Sequence, residues 1–352
     1  MTDEILFDRK GGWGVVTLNR PQALNALTWG MVEAFRRELR KWEMDPAIGA
    51  VLVKGAGDKA FCAGGDIRWL AAEAKKDAKH ASGFFREEYR NNAAIHHFPK
   101  PYVALIDGIV MGGGVGISVH GDFRVAGDRT LFAMPETGIG LFPDVGGGHF
   151  LPRLHDGLGL YFALTGARAK AADCMASGVA THYAPTEQMP ALEAALMDLR
   201  PNSRGHADIE AVLDRFAGDP GEAPLNLVRQ QIRTLFEGHA RIEDLIAALE
   251  KDGGQFARET LATLAKMSPT SMKIAFEQMK RGHSLDFDHV MQMEFRIVRR
   301  VMENHDFFEG VRAQIIDKDR NPRWSPAGLS DVSEADVAKY FDSLGEEELE
   351  LP

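Results

Sequence analysis

Cysteine is nearly absent: Cys62 and Cys174 are the only two in 352 residues. A disulfide framework is therefore excluded, a reducing compartment fits, and cysteine-based metal clusters have no basis. The start, Met1-Thr2-Asp3-Glu4-Ile5, lacks the basic region and apolar run of a signal peptide and is too acidic for a transit peptide. The expected location on that ground is the cytoplasm. No long block of one charge sign occurs either. The formal charge of -10 is spread over 51 acidic and 41 basic residues. That argues against nucleic acid and against an anionic membrane surface as partners, so a charged ligand must be held by local groups. The longest apolar stretch, Tyr102 to Val119, holds Asp107 and Gly112-Gly113-Gly114, and reads as a soluble strand, turn and helix rather than a membrane span.

Several catalytic signatures are missing as well. Gly112-Gly113-Gly114-Val115-Gly116 does not supply G-x-G-x-x-G, and no Walker-type G-x-x-x-x-G-K-[ST] occurs, which leaves dinucleotide and ATP sites without support. Around Ser118 a nucleophile elbow fails because His120 stands where glycine is needed. There is no H-E-x-x-H or paired C-x-x-C, and the adjacent His96 and His97 lack the i, i+4 spacing of a helical metal site. No metal is expected.

What is present is an apolar content of 45%, enough for a substantial core, and a length that suggests two domains. Ile5 to Phe7 and Val15 to Leu18 flank Gly11-Gly12-Trp13-Gly14 and predict a hairpin. Leu27, Met31, Phe35, Leu39 and Trp42 recur at helical spacing after Thr28, a cap residue. Strands are expected at Ala50 to Val53, Val103 to Ile106, Phe123 to Ala126 and Leu131 to Met134. Helices are expected from about Ile67 and over Gly112 to Val119. Strand, glycine loop and helix thus alternate, the pattern of an α/β fold. Beyond about Pro201 the glycine runs vanish, Pro220-Gly221-Glu222-Ala223-Pro224 reads as a linker, and the rest reads as helices, one starting at Ser268-Pro269. The expected division is a catalytic core over residues 1–200 and a helical region over 201–352.

Two glycine-rich bends attract attention together. Phe61-Cys62-Ala63-Gly64-Gly65-Asp66 and Met111-Gly112-Gly113-Gly114 can each present a backbone N–H without side-chain interference. Two such donors converging on a carbonyl oxygen would stabilise the negative charge that develops there in acyl transfer, each by about 3 kcal/mol.

These bends, with Leu18-Asn19-Arg20-Pro21, Asn25-Ala26-Leu27, Gly108 to Gly114 and Pro135-Glu136 in that order, resemble the crotonase (enoyl-CoA hydratase/isomerase) superfamily over about residues 5 to 190. The resemblance implies a spiral of ββα units around stacked sheets, with a mainly helical C-terminal part. It also implies an acyl-CoA substrate in a bent groove, adenine near Ala63, Gly64, Asp66 and Ile67, and oxyanion donors at the amides of Gly65 and Gly113. Coenzyme A would be part of the substrate, with no further cofactor. Arg20, Lys59 and Arg68 stand beside these motifs as candidate cations for its phosphates. Members of the superfamily form trimers or hexamers, so a homo-oligomer is implied unless the helical C-terminal part replaces that interface.

Hydratases of the superfamily use two glutamates, one at the second position after the triple glycine. Here that position is Gly116, while the other is kept as Glu136. Met134-Pro135-Glu136-Thr137, Gly140 to Gly148 with Phe142-Pro143-Asp144, Phe84 to Tyr89, and His305 to Ala313 with Asp317-Lys318-Asp319 resemble the 3-hydroxyisobutyryl-CoA hydrolase branch, which acts in valine breakdown. That resemblance implies thioester hydrolysis of a short 3-hydroxyacyl-CoA. Glu136 would be nucleophile or general base, Asp144 would manage water or a proton, and Glu88 would accept a hydrogen bond from the 3-hydroxyl. The competing readings are an isomerase or hydratase working through Glu136, and a binding protein that has kept the fold without turnover.

Overall fold

The computed structural model describes residues 3–201 and 205–351. Ten strands make two sheets, and the way the chain alternates between them positions everything that follows. The hairpin β1 (Ile5–Lys10) and β2 (Trp13–Leu18) leads to helix α1 (Trp29–Met44), capped by the Thr28 side chain. Next come β3 (Ala50–Gly55), β4 (Ala60–Cys62), α2 (Ile67–Ala74) and α3 (Ala78–His96). The cycle repeats with β5 (Tyr102–Leu105), β6 (Ile109–Met111) and the short helix α4 (Gly113–Gly116), then with β7 (Phe123–Ala126) and β8 (Leu131–Ala133). Short strands β9 (Ala169–Lys170) and β10 (His182–Tyr183) complete the sheets.

Each repeat gives its first strand to a six-stranded sheet, β1-β2-β3-β5-β7-β10, and its second to a four-stranded sheet, β4-β6-β8-β9. Apart from β1/β2 and β8/β9 the pairings are parallel. Alternation along the large sheet sorts its two faces. Val51 and Val53 join the main core with Phe35 and Trp42, whereas Ala50 and Leu52 join a second cluster under helices Met189–Met197 and Gly205–Arg215.

Two expectations are corrected here. Phe61 and Cys62 close strand β4 instead of opening a bend, and Ile109 to Met111 form a strand of their own. Three residues are too few to show an alternating pattern. The helix expected over Gly112 to Val119 covers only Gly113–Gly116. Glycine is a poor helix former, and the Ser118 hydroxyl bonds back to Gly114 O at 2.8 Å as the turn ends.

Beyond residue 205 the chain is helical. Helix Pro269–Gly282 starts at Ser268, whose hydroxyl accepts from Ser271 N and donates to Asp306 Oδ2 at 2.6 Å. Helix Phe287–Val301 packs along α3, and the main core runs without interruption from Ile5 through Phe295 to Phe307. Among the described residues, no helix is long and apolar enough to cross a membrane.

Candidate active site

Because β4, β6 and β8 are parallel neighbours, the loops leaving their C-terminal ends lie side by side. Ligands collect at that edge in α/β architectures. Here the three loops carry Ala63 to Asp66, Gly112-Gly113 and Pro135-Glu136. The segment before α1 clamps the first bend: Leu27 N donates to Gly64 O at 2.8 Å, Asp66 N to Leu27 O at 2.9 Å and Ala63 N to Leu24 O at 3.0 Å. Buried Asn25 holds the clamp, accepting from Arg20 N at 2.9 Å and donating to Ala56 O and Ala60 O at 2.9 and 2.8 Å.

Glycine is required where the bends meet. Gly64 and Gly112 have φ of 109° and 47°, in the left-handed half of the map that side chains avoid. A Cβ on Gly113 would stand 3.4 Å from Gly65 N and 2.5 Å from Glu88 Oε1, so both glycine bends and the Glu88 carboxyl face one small space. Neither Gly65 N nor Gly113 N donates in any loop or cap hydrogen bond among the described residues. As the first residue of α4, Gly113 also has no intrahelical acceptor.

These groups line a cavity of about 170 Å³ shared by Ala63, Gly64, Gly65, Ile67, Glu88, Gly113, Glu136 and Asp144. Phe84, Phe85, Ile139, Leu141 and Ile315 supply its apolar walls. The volume suits an acyl group of a few carbons, not a whole coenzyme, which would need a site of roughly 300 Å³ or more. Ile315 comes from the π-helical turn Arg312–Ile316, so the C-terminal part closes the cavity, and Arg68 Nη2 ties that turn down through Ile315 O at 3.1 Å.

Three buried acids, Glu88, Glu136 and Asp144, meet there. Glu88 and Glu136 are both pushed well above the usual carboxylate range, first by burial and then by the facing Asp144. Burial raises Asp144 to about 7, against the donation from Tyr89 Oη at 2.9 Å. Glu88 Oε1 and Glu136 Oε2 have no hydrogen-bond partner, which leaves both free for a substrate. Asp144 has the one stabilising hydroxyl, so it ionises before the other two. Tyr89 stands next to Glu88 in the chain but has no marker of its own as a catalytic partner.

Other expected site residues lie apart. The Asp66 carboxylate caps α2 by accepting from Trp69 N at 3.2 Å and pairs with Arg20 at 3.2 Å, so it faces the clamp instead of the cavity. Arg20 also donates to Ala26 O at 2.6 Å and pairs with Glu4 at 3.0 Å. Its guanidinium is thereby committed within the protein, which corrects the picture of a cation held ready for a phosphate. Lys59 and Arg68 are exposed.

Gly116, at the second position after the triple glycine, has no room for any side chain. A Cβ there would fall 2.6 Å from Val145 Cβ and 2.7 Å from Asn92 Nδ2.

The family model for enoyl-CoA hydratase/isomerase matches residues 13–341. The chain is similar to 3-hydroxyisobutyryl-CoA hydrolase, mitochondrial, of Danio rerio, with 50% identity over 99% of this chain and 92% of that one. To the protein of the same name in Homo sapiens it is 47% identical, over 99% and 91%. Among solved structures, a carnitinyl-CoA dehydratase from Mycobacterium thermoresistibile superposes with a TM-score of 0.91 at 40% identity, covering 99% of both chains. An enoyl-CoA hydratase from Rhodobacter sphaeroides 2.4.1 superposes at 0.90 with 36% identity, over 99% of this chain and 100% of that one. The hydrolase relatives are mitochondrial by name, which overturns the cytoplasmic expectation. Two buried free thiols do not specify a compartment.

Proposed function

The chain belongs to the enoyl-CoA hydratase/isomerase family, and on that premise we propose that it hydrolyses the thioester of a short 3-hydroxyacyl-CoA, 3-hydroxyisobutyryl-CoA in particular. The products would be 3-hydroxyisobutyrate and coenzyme A, a step of valine breakdown. The observation that carries this reading is the pairing of Glu136 and Asp144 in one buried cavity against the two glycine bends, with no space for an acid at Gly116. Near-full-length likeness to hydrolases supports the same choice. Hydration, which the names of the two solved structures bring to mind, needs a second glutamate where Val145 and Asn92 now stand.

In the proposed reaction the carbonyl oxygen sits between the amides of Gly65 and Gly113, which take up its developing charge. Glu136 supplies the attack, with its own carboxylate or through a water molecule that it deprotonates. At rest Asp144 is the acid that most readily carries the negative charge. It therefore accepts the proton that Glu136 must lose before acting. The tetrahedral intermediate collapses, the C–S bond breaks, and the departing thiolate takes that proton from Asp144. On the nucleophilic route the product is a mixed anhydride that water then hydrolyses, restoring Glu136. Label in the Glu136 carboxyl after one turnover in H₂¹⁸O would establish the anhydride route, because water that Glu136 merely deprotonates never enters that carboxyl.

Glu88 is best placed to recognise the 3-hydroxyl. Burial and the facing Asp144 push its pKa up and so favour its neutral form, which can donate as well as accept. Coenzyme A enters as part of the substrate, its adenine near Ala63 to Ile67, with Lys59 and Arg68 as cations for its phosphates. The helical region beyond residue 201 acts with the core as one enzyme. The test is Glu136→Gln, expected to lower free-CoA release by about 10²- to 10⁴-fold while CoA binding persists. Normal turnover in that variant would remove Glu136 from the mechanism.

A further inference from the structure

A fourth buried carboxylate, which the reaction above does not use, lies behind the Asp144 loop. Glu294, on helix Phe287–Val301, is fully buried. Its Oε2 accepts from Gly146 N and its Oε1 from Gly148 N, each at 2.8 Å. Gln278, on helix Pro269–Gly282, donates to Glu294 Oε1 at 3.0 Å and to Pro143 O at 2.7 Å. His120 Nε2 meets Val145 O at 2.7 Å. Burial holds His120 neutral, down at about 3, so this contact is an N–H donated to the carbonyl. The loop on both sides of Asp144 is thus fixed from outside itself.

It needs to be. Val145 and Gly146 have φ of 51° and 85° in succession. Glycine takes that conformation freely, but a β-branched residue is an outlier there and persists only where its surroundings over-determine it. Three donors converge on Glu294 and favour its carboxylate form, against a burial that raises it to about 8.

We propose that Glu294, braced by Gln278, is a positioning residue for the reaction: it holds the Val145-Gly146 bend so that Asp144 faces Glu136 and the thioester. The helical C-terminal region thereby completes the active site. This rests on the hydrolase reading above. It goes beyond fold maintenance because the group held is the acid assigned to move a proton, and because Asp144 and Tyr89 are the ionisable side chains that Glu294 faces.

The test compares Glu294→Gln, Glu136→Gln and the unaltered protein, using 3-hydroxyisobutyryl-CoA and thiol release. Glu294→Gln turns an amide N–H against at least one donor it formerly accepted. The expected result is a kcat lower by about 10²-fold, the scale of a small misplacement at a reacting centre, with KM and CoA binding unchanged. If this variant does not fold, Gln278→Leu removes the brace on Pro143 O and should give a smaller loss of the same kind. Unchanged kcat, or equal damage to kcat and KM, overturns the proposal. Loss of turnover in Glu136→Gln alone would leave the hydrolase reading standing without it. Full turnover in both variants would remove the hydrolase reading and the positioning role together.

Discussion

The Tyr89 hydroxyl donates to Asp144 Oδ2 at 2.9 Å, and this bond is the largest influence favouring the charged form of Asp144 against its burial. Without it Asp144 would keep only a backbone hydrogen bond to offset its burial. Tyr89→Phe should therefore raise Asp144 above its value of about 7. A hydrogen bond to a charged group contributes about 1.5–3 kcal/mol, or roughly one to two pH units. The activity limb should move up by that amount, measured as kcat between pH 5 and pH 9.

Acids raised by burial destabilise the folded protein once they must ionise. For Asp144 the unfolded chain loses its proton near pH 4 and the folded chain near 7. Between those values the folded state binds more protons, so stability falls as pH rises through the window and levels off above it. Asp144→Asn escapes this cost. It should match the unaltered protein near pH 4 and exceed it at pH 8 by on the order of a few kcal/mol, read from urea unfolding at both pH values, while turnover falls.

Gly116 provides a separate check on reaction type. A single methyl there meets Val145 Cβ at 2.6 Å and Asn92 Nδ2 at 2.7 Å, so Gly116→Ala should cost about 1–3 kcal/mol from overpacking. Gly116→Glu should be destabilised further and gain no hydration of enoyl-CoA, followed by loss of the conjugated thioester absorbance.

Substrate choice tests Glu88. In Glu88→Ala the preference for 3-hydroxyacyl-CoA over the unsubstituted acyl-CoA should shrink by about 10-fold, the value of one hydrogen bond at the upper end of its range. The ratio of kcat/KM for the two substrates measures it. Equal loss on both would count against a role in recognising the hydroxyl.

Much of the site is legible in the chain because its pieces are local. The glycine bends are written in residues 63–66 and 111–114, and Glu136 follows its strand directly. The strand expected at Ala50 to Val53 is found, though its uniformly apolar run gave no sign that Val51 and Val53 face one core and Ala50 and Leu52 the other. What the chain conceals is non-local. Glu294 lies 148 residues from the Gly146 amide it accepts from, and Gln278 lies 135 from Pro143. Nothing around either marks it as part of an active site. Arg20 misleads for the converse reason: beside the groove motif it reads as a phosphate ligand, and only the fold brings Glu4 and Asp66 to neutralise it. Asp66, too, is set beside the bend by sequence and turned toward Arg20 by the fold.

The most direct test is to give the purified protein 3-hydroxyisobutyryl-CoA and a short enoyl-CoA in parallel, following free thiol and the enoyl chromophore together. Hydrolysis governed by Glu136, Asp144 and the two glycine amides predicts thiol release from the hydroxyacyl substrate and no change in the chromophore. Interconversion of the enoyl and hydroxyacyl thioesters with no thiol released would contradict it.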